Sequence, residues 1–197
     1  REAIARQIAK KYGAEIVPAY DSEDIIAGQG TVGLEIVQQS IELNLPPDQV
    51  LIGCGGGGLS SGSAVAIKAL LPEAYVHTVE PEHFDNTARS LRDGVLCSNA
   101  ESARSICDSL QSNTPGKMPF SIHQRLSSEG IVVSDADVKM AMRFAFRSLK
   151  LVVEPGGAVS LAAILAQKIN CKNKTTVAVL TGGNVDPDLF STIQNEA

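Results

Sequence analysis

A chain of 197 residues, 44% of them hydrophobic, is long enough to bury a core of its own and reads as soluble and globular. Its net charge of -5 comes with 17 scattered lysines and arginines, none in a run longer than Lys10 and Lys11, which excludes the clustered positive face that nucleic acid or an anionic membrane needs. No stretch approaches the ~18 to 20 apolar residues of a membrane span, and the opening REAIARQIAKKYG lacks the apolar core of a signal peptide, so a cytoplasmic protein is expected.

In chain order, REAIARQIAKKYG predicts a short amphipathic helix ending at Gly13, and AEIVPA predicts a strand. DSEDIIAGQGTVGLEIVQQSIEL predicts a helix at its far end, with Leu34, Val37 and Ile41 on one face and Pro46 and Pro47 as its stop. DQVLIGC reads as a buried strand, followed by four glycines and a helix of small residues, SSGSAVAIKALL, closed by Pro72. AYVHTVEP is the next strand. The stretch LCSNAESARSICDSLQSNTPGKMPFSIHQRLSSEG has the weakest periodicity and reads as a functional loop region. SDADVKMAMRFAFRSL opens on a capping Ser134 and carries Val138, Met142, Ala145 and Leu149 on one face. After EPGGAVSLAAILAQKI, the run KTTVAVLTGGNVD supplies a last strand that again ends on glycines. This alternation predicts an α/β fold, an open parallel sheet with helices on both faces. Cys54, Cys97, Cys107 and Cys171 are far apart and lack metal-site spacing, so they read as free thiols, and His77, His83 and His123 are isolated.

Glycine admits positive φ and lets a ligand approach without a Cβ in the way. Gly55, Gly56, Gly57 and Gly58 between a strand and a helix therefore offer backbone N–H donors at the positive end of a helix, a place for a phosphate; a tight turn without a ligand is the alternative. Read literally, Gly53, Gly55 and Gly58 also spell the dinucleotide fingerprint G-x-G-x-x-G, with Glu80 as the ribose-binding acid. That reading leaves LTGGNVD and VVEPGGA unexplained. Both glycine clusters follow strands, and ligands gather at the carboxyl ends of strands in an open parallel sheet, so CGGGG and TGGN are expected to line one crevice. Glu154 brings a carboxylate to the same place, or else acts as a helix-start acid before Pro155.

In order and spacing, IIAGQGTVGLEI, CGGGGLSSG, VEPEHFDNTARS, RSICDSL, LKLVVEPGGAVSLAAIL and VLTGGNVD resemble the serine/threonine dehydratase and serine racemase family of fold type II pyridoxal phosphate enzymes, from the first residue to about Asp186. The resemblance implies that residues 1–19 are the tail end of a small domain and 20–197 the carboxy-terminal part of the large cofactor-binding domain. It implies pyridoxal 5'-phosphate held by Gly55, Gly56, Gly57 and Gly58, with the Thr181 hydroxyl against the pyridine nitrogen where the family usually has serine. A neutral partner there makes the ring a weaker electron sink than an aspartate would. Tyr20 falls at a position near the cofactor ring, Ser112 near the substrate carboxylate, and Arg1 in the same pocket. A divalent cation, Mg or Ca, is implied at Glu80, the Phe84 carbonyl and Asn86, where an amide replaces the acid of many relatives and weakens the site.

The implied reaction is β-elimination of the hydroxyl from L-threonine or L-serine, giving a 2-oxo acid and ammonia, by a homodimer acting on a small hydroxyamino acid. Racemisation of serine shares its first half. The family's Schiff-base lysine follows a serine-rich motif upstream of GQGT, and none of the nine lysines here has that context, so no catalytic lysine is expected in this chain. The chain is accordingly expected to be the carboxy-terminal part of a longer enzyme, inactive alone. The alternatives are a non-catalytic fragment that keeps the fold, and a nicotinamide-binding Rossmann domain.

Overall fold

A computed structural model describes residues 2–196; Arg1 lies outside the described residues. In chain order the elements are α1 (Glu2–Tyr12), α2 (Glu23–Glu42), β1 (Gln49–Gly53), α3 (Gly58–Leu70), β2 (Tyr75–Pro81), α4 (Asn86–Asp93), α5 (Lys117–Leu126), β3 (Ile131–Val133), α6 (Asp135–Phe144), α7 (Val159–Leu165), β4 (Thr176–Ala178) and α8 (Pro187–Asn195). The four strands form one sheet in the order β3-β2-β1-β4, and every pairing is parallel. The expected α/β sheet is therefore present.

Strand side chains alternate between the two faces of a sheet. Leu51 and Val79 point into a core built with Val138 and Met142 of α6, Val159 and Ala162 of α7 and Ile193 of α8. Val50, Ile52 and Val76 point the other way, onto Val37 of α2 and Ala64 and Ile67 of α3. A sheet buried on both faces requires strands that are apolar throughout, and all five residues of β1 are buried.

Glycine allows α2 and α3 to touch backbone to backbone. A Cβ on Gly33 would meet the Ser63 carbonyl oxygen at 2.5 Å, and one on Gly62 would overlap the Ile26 carbonyl oxygen. The α2 helix consequently runs from Glu23 through all three of its glycines and not only through its far end. Its buried positions are Ile26, Gly33, Val37 and Ser40; Leu34 and Ile41 are about half exposed, so the expected apolar face is rotated away from two of its three residues.

Other expectations need correction too. AEIVPA is no strand: residues 14–19 are exposed and belong to no strand of the sheet, so their backbone has no ladder to join and is left to water. Leu149 is exposed beyond the end of α6, although Val138, Met142 and Ala145 are fully buried as expected. The long middle stretch contains α5. Ser134 caps α6 in a reciprocal box with Asp137. The four cysteines are free, Cys54 and Cys107 buried.

Candidate functional site

Strand β1 has β2 on one side and β4 on the other. From β1 the chain runs through α3 to β2 and on to β3 on one side, then crosses back to place β4 on the other, so the strand order reverses at β1 and Cys54 to Gly58 lie at this switch point, where open parallel sheets place their ligands. Gly57 has φ +97, a left-handed conformation that Cβ sterics deny to most residues, and it serves as the N-cap of α3.

Two carbonyls of the loop are held by protein donors. Gly116 N–H donates to the Gly56 oxygen at 2.9 Å, and Ser61 N–H donates to the Gly57 oxygen at 2.9 Å. The Ser60 hydroxyl also donates to the Gly57 oxygen, at 3.3 Å. By contrast, among the described residues the backbone N–H groups of Gly55, Gly56, Gly57, Gly58, Leu59 and Ser60 donate to no protein acceptor. Gly56, Gly57, Gly58 and Ser60 are buried. A buried N–H without a partner costs about 1–3 kcal/mol, and these donors sit at the positive end of α3. Phosphate oxygens fit such a row of donors.

Protein atoms wall this cradle. The Tyr20 ring lies on Gly56, and the Tyr20 backbone on Gly58, where a Cβ would come within 3.0 Å of the Tyr20 Cα. Pro119 presses on Gly57 and on Gly116. Leu110, the Ser109 carbonyl and the Ser112 hydroxyl face Gly55 at 3.2–3.4 Å from a Cβ placed there. Ser109 continues to Gly156 through its hydroxyl. The second and third glycine clusters meet each other as well: Glu154 N–H donates to the Gly182 oxygen at 2.9 Å, and the Glu154 carboxylate lies against the Gly182 Cα. The structure thus brings Tyr20, the four glycines and Ser112 together. Glu154 joins them through Gly156 and Ser109, while Thr181 beside Gly182 is exposed.

Glu80, Phe84 and Asn86 follow the end of β2. Glu80 is fully buried, and its two oxygens accept from Thr87 N–H at 2.8 Å and Ala88 N–H at 2.6 Å, at the start of α4. Burial pushes its pKa up to about 8 against the pull of those donors. The Asn86 amide donates to the Ser112 oxygen at 2.8 Å, which ties α4 to the loop that faces Gly55. Among the described residues no group of three His, Cys, Asp or Glu side chains is arranged to hold a metal. Both Glu80 oxygens thus hold the start of α4, beside Asn86.

Three residues that sequence reasoning passed over belong to the site's frame. Asp21 accepts from Lys117 N–H at 3.1 Å and Met118 N–H at 3.0 Å, fastening Tyr20 to the start of α5. Ser109 bridges Gly55 and Gly156. His123, fully buried on α5, reaches the first turn of α3. Asp21 beside Tyr20 was the one readable signal, a short acid just before a helix; the other two carry none. No lysine side chain is among the atoms nearest these glycines.

A family model described as pyridoxal-phosphate dependent enzyme matches residues 1–182. An L-threo-3-hydroxyaspartate ammonia-lyase of Pseudomonas sp is 35% identical over 98% of this chain and 59% of its own length. A serine racemase of Schizosaccharomyces pombe is 35% identical over 97% of this chain and 58% of its own length. Among solved structures, a threonine deaminase from T.th. superposes with a TM-score of 0.87 at 36% identity, over 93% of this chain and 65% of that one. The chain thus spans little more than half the length of the curated relatives it matches. No helix among the described residues is long and apolar enough to cross a membrane.

Proposed function

The chain belongs to the pyridoxal-phosphate dependent enzyme family, and from that premise we propose that it supplies the phosphate-binding half of an ammonia-lyase site for a small hydroxyamino acid, L-threonine or L-serine. The observation that carries this reading is the row of unpartnered N–H groups from Gly55 to Ser60 at the switch point of the sheet. In it, these donors grip the phosphate and the Tyr20 ring walls the loop. When bound, the cofactor supplies an electron sink for the pair left at the substrate α-carbon. Thr181 offers a neutral hydroxyl to the ring nitrogen, and Ser112 offers its hydroxyl to the substrate carboxylate. Glu154 holds the TGGN turn against the EPGG turn so that both face the crevice. Residues 1–19 act with a small domain, 20–197 belong to the large one, and the working assembly is a homodimer in the cytoplasm. No step is routed through a metal.

The test is equilibrium binding of pyridoxal phosphate and inorganic phosphate to the chain, followed by deamination assays of L-threonine and of both serine enantiomers on the full reading frame. Phosphate-competable binding of the cofactor and release of a 2-oxo acid are expected. Retention of a nicotinamide dinucleotide in its place would overturn the reading, and interconversion of serine enantiomers without ammonia would redirect it to racemisation.

A further inference from the structure

Directly behind the glycine loop lies a buried row of polar side chains that the proposed reaction does not use. His123 is fully buried; its Nδ1 is 2.6 Å from the Ser127 hydroxyl and its Nε2 is 2.9 Å from the Ser60 hydroxyl. Ser60 in turn lies 3.3 Å from the Gly57 oxygen. One assignment of hydrogens satisfies every member: Ser127 O–H donates to Nδ1, Nε2–H donates to the Ser60 oxygen, and Ser60 O–H donates to the Gly57 carbonyl. The imidazole is then neutral and in a single tautomer, and burial holds its pKa down to about 4.

The geometry of the peptide unit converts this anchoring into an aim. In a trans peptide the C=O and the following N–H point in opposite directions. Fixing the Gly57 carbonyl toward the first turn of α3 therefore turns the Gly58 N–H the opposite way, out of the helix start. Gly116 N–H does the same for the Gly56 carbonyl and the Gly57 N–H from the other end of the α5 start. The Gly57 oxygen has two donors, Ser61 N–H at 2.9 Å from the helix ladder and the Ser60 hydroxyl at 3.3 Å, and the second is the one that His123 fixes. The α5 segment thus braces both peptides, the first directly through Gly116 and the second through His123 on Ser60.

We propose that His123 is a positioning residue of the anion cradle, acting through Ser60 to orient the Gly57–Gly58 peptide toward bound phosphate. This rests on the reading of the loop as a phosphate site. The experiment is titration of the chain with inorganic phosphate and with pyridoxal phosphate, comparing wild type, His123→Leu, His123→Gln and Ser60→Ala, with ¹⁵N spectra of the histidines recorded in parallel. Removing one such hydrogen bond is expected to raise the phosphate Kd about 10-fold in His123→Leu and in Ser60→Ala. His123→Gln, which keeps an N–H donor, should recover to within about 3-fold. In wild type at neutral pH the His123 resonances should report the Nε2–H tautomer, with Nε2 shifting on addition of phosphate. Ser60→Ala leaves the histidine in place, so it decides the matter even if His123→Leu does not fold. Wild-type affinity in both variants, or no movement of Nε2 when phosphate binds, overturns the positioning role and leaves the phosphate reading standing. Absence of phosphate and cofactor binding in wild type overturns the phosphate reading, and the role of His123 falls with it.

Discussion

The Tyr20 ring lies on Gly56, so close that a Cβ on Gly56 would overlap its ring carbons. The glycine at this position is thus demanded by a protein side chain as well as by any ligand. Gly56→Ala is expected to destabilise the fold by ~1–3 kcal/mol through overpacking. Tyr20→Ala clears the space, so the double variant should lose less than the two single losses combined, with a coupling of ~0.5–3 kcal/mol. Denaturant unfolding of the four proteins measures that coupling, and strict additivity would show that the ring yields freely.

The glycines of α2 and α3 separate by the same logic into those that meet the facing helix and those that do not. Gly62→Ala and Gly33→Ala each drive a methyl into a carbonyl of the facing helix and should cost ~1–3 kcal/mol or more. Gly28 lies in the same helix with nothing within 4 Å of its Cβ position, so Gly28→Ala should stabilise by ~0.5–1 kcal/mol through the backbone entropy it removes from the unfolded chain. Melting temperatures of the three variants must split in sign for this account to hold.

Asp21 carries both early N–H groups of α5 across a sequence separation of 96 and 97 residues. Asp21→Ala should cost ~1 kcal/mol, as for loss of a helix cap. The local signature is faster hydrogen exchange at Lys117 and Met118, with the amides of α6 unchanged because Ser134 caps that helix independently. Equal acceleration in both helices would mean that Asp21 acts on global stability alone.

This long-range cap explains what could and could not be read from the sequence. The glycine loop, β1 and β2 were legible because their signals are local: a continuous apolar run, then four glycines, then a helix. Ser134 and Asp137 were legible for the same reason, three residues apart. The start of α5 was not, because its capping acid comes from the far end of the chain and Pro119 breaks the apolar period. Strand β3 has only three residues and exists because β2 offers it a partner. The full extent and buried face of α2 were hidden for a related reason, since glycines look like helix breakers until the facing helix that needs their missing side chains is known. His123 gave no hint at all; what makes it part of the site is the Ser60 hydroxyl across the α3–α5 contact.

Glu80 gives the fold a pH dependence whose sign can be worked out. Its carboxyl has a pKa of about 8 in the folded protein against an ordinary 4.5, so the folded state keeps a proton that the unfolded chain releases across that interval. Stability is full below pH 4.5 on this account, falls as pH rises through 8 and is level above it. His123 works in the other direction, its folded pKa of about 4 lying below an ordinary 6.5, so its contribution is complete above 6.5 and is lost as pH falls toward 4. The two overlap below 6.5, which leaves pH 6.5 to 8 as the window in which Glu80 acts without His123. There the slope should be negative and no steeper than ~1.4 kcal/mol per pH unit, the limit for one proton. Glu80→Gln keeps one oxygen for the two N–H groups of Thr87 and Ala88, so it should be less stable than wild type at pH 6.5 yet show no slope. Urea unfolding at half-unit steps from pH 6.5 to 8.5 makes the comparison. A wild-type stability that is flat or rising across this window would mean that the two N–H donors outweigh burial and that Glu80 is a carboxylate in the folded protein.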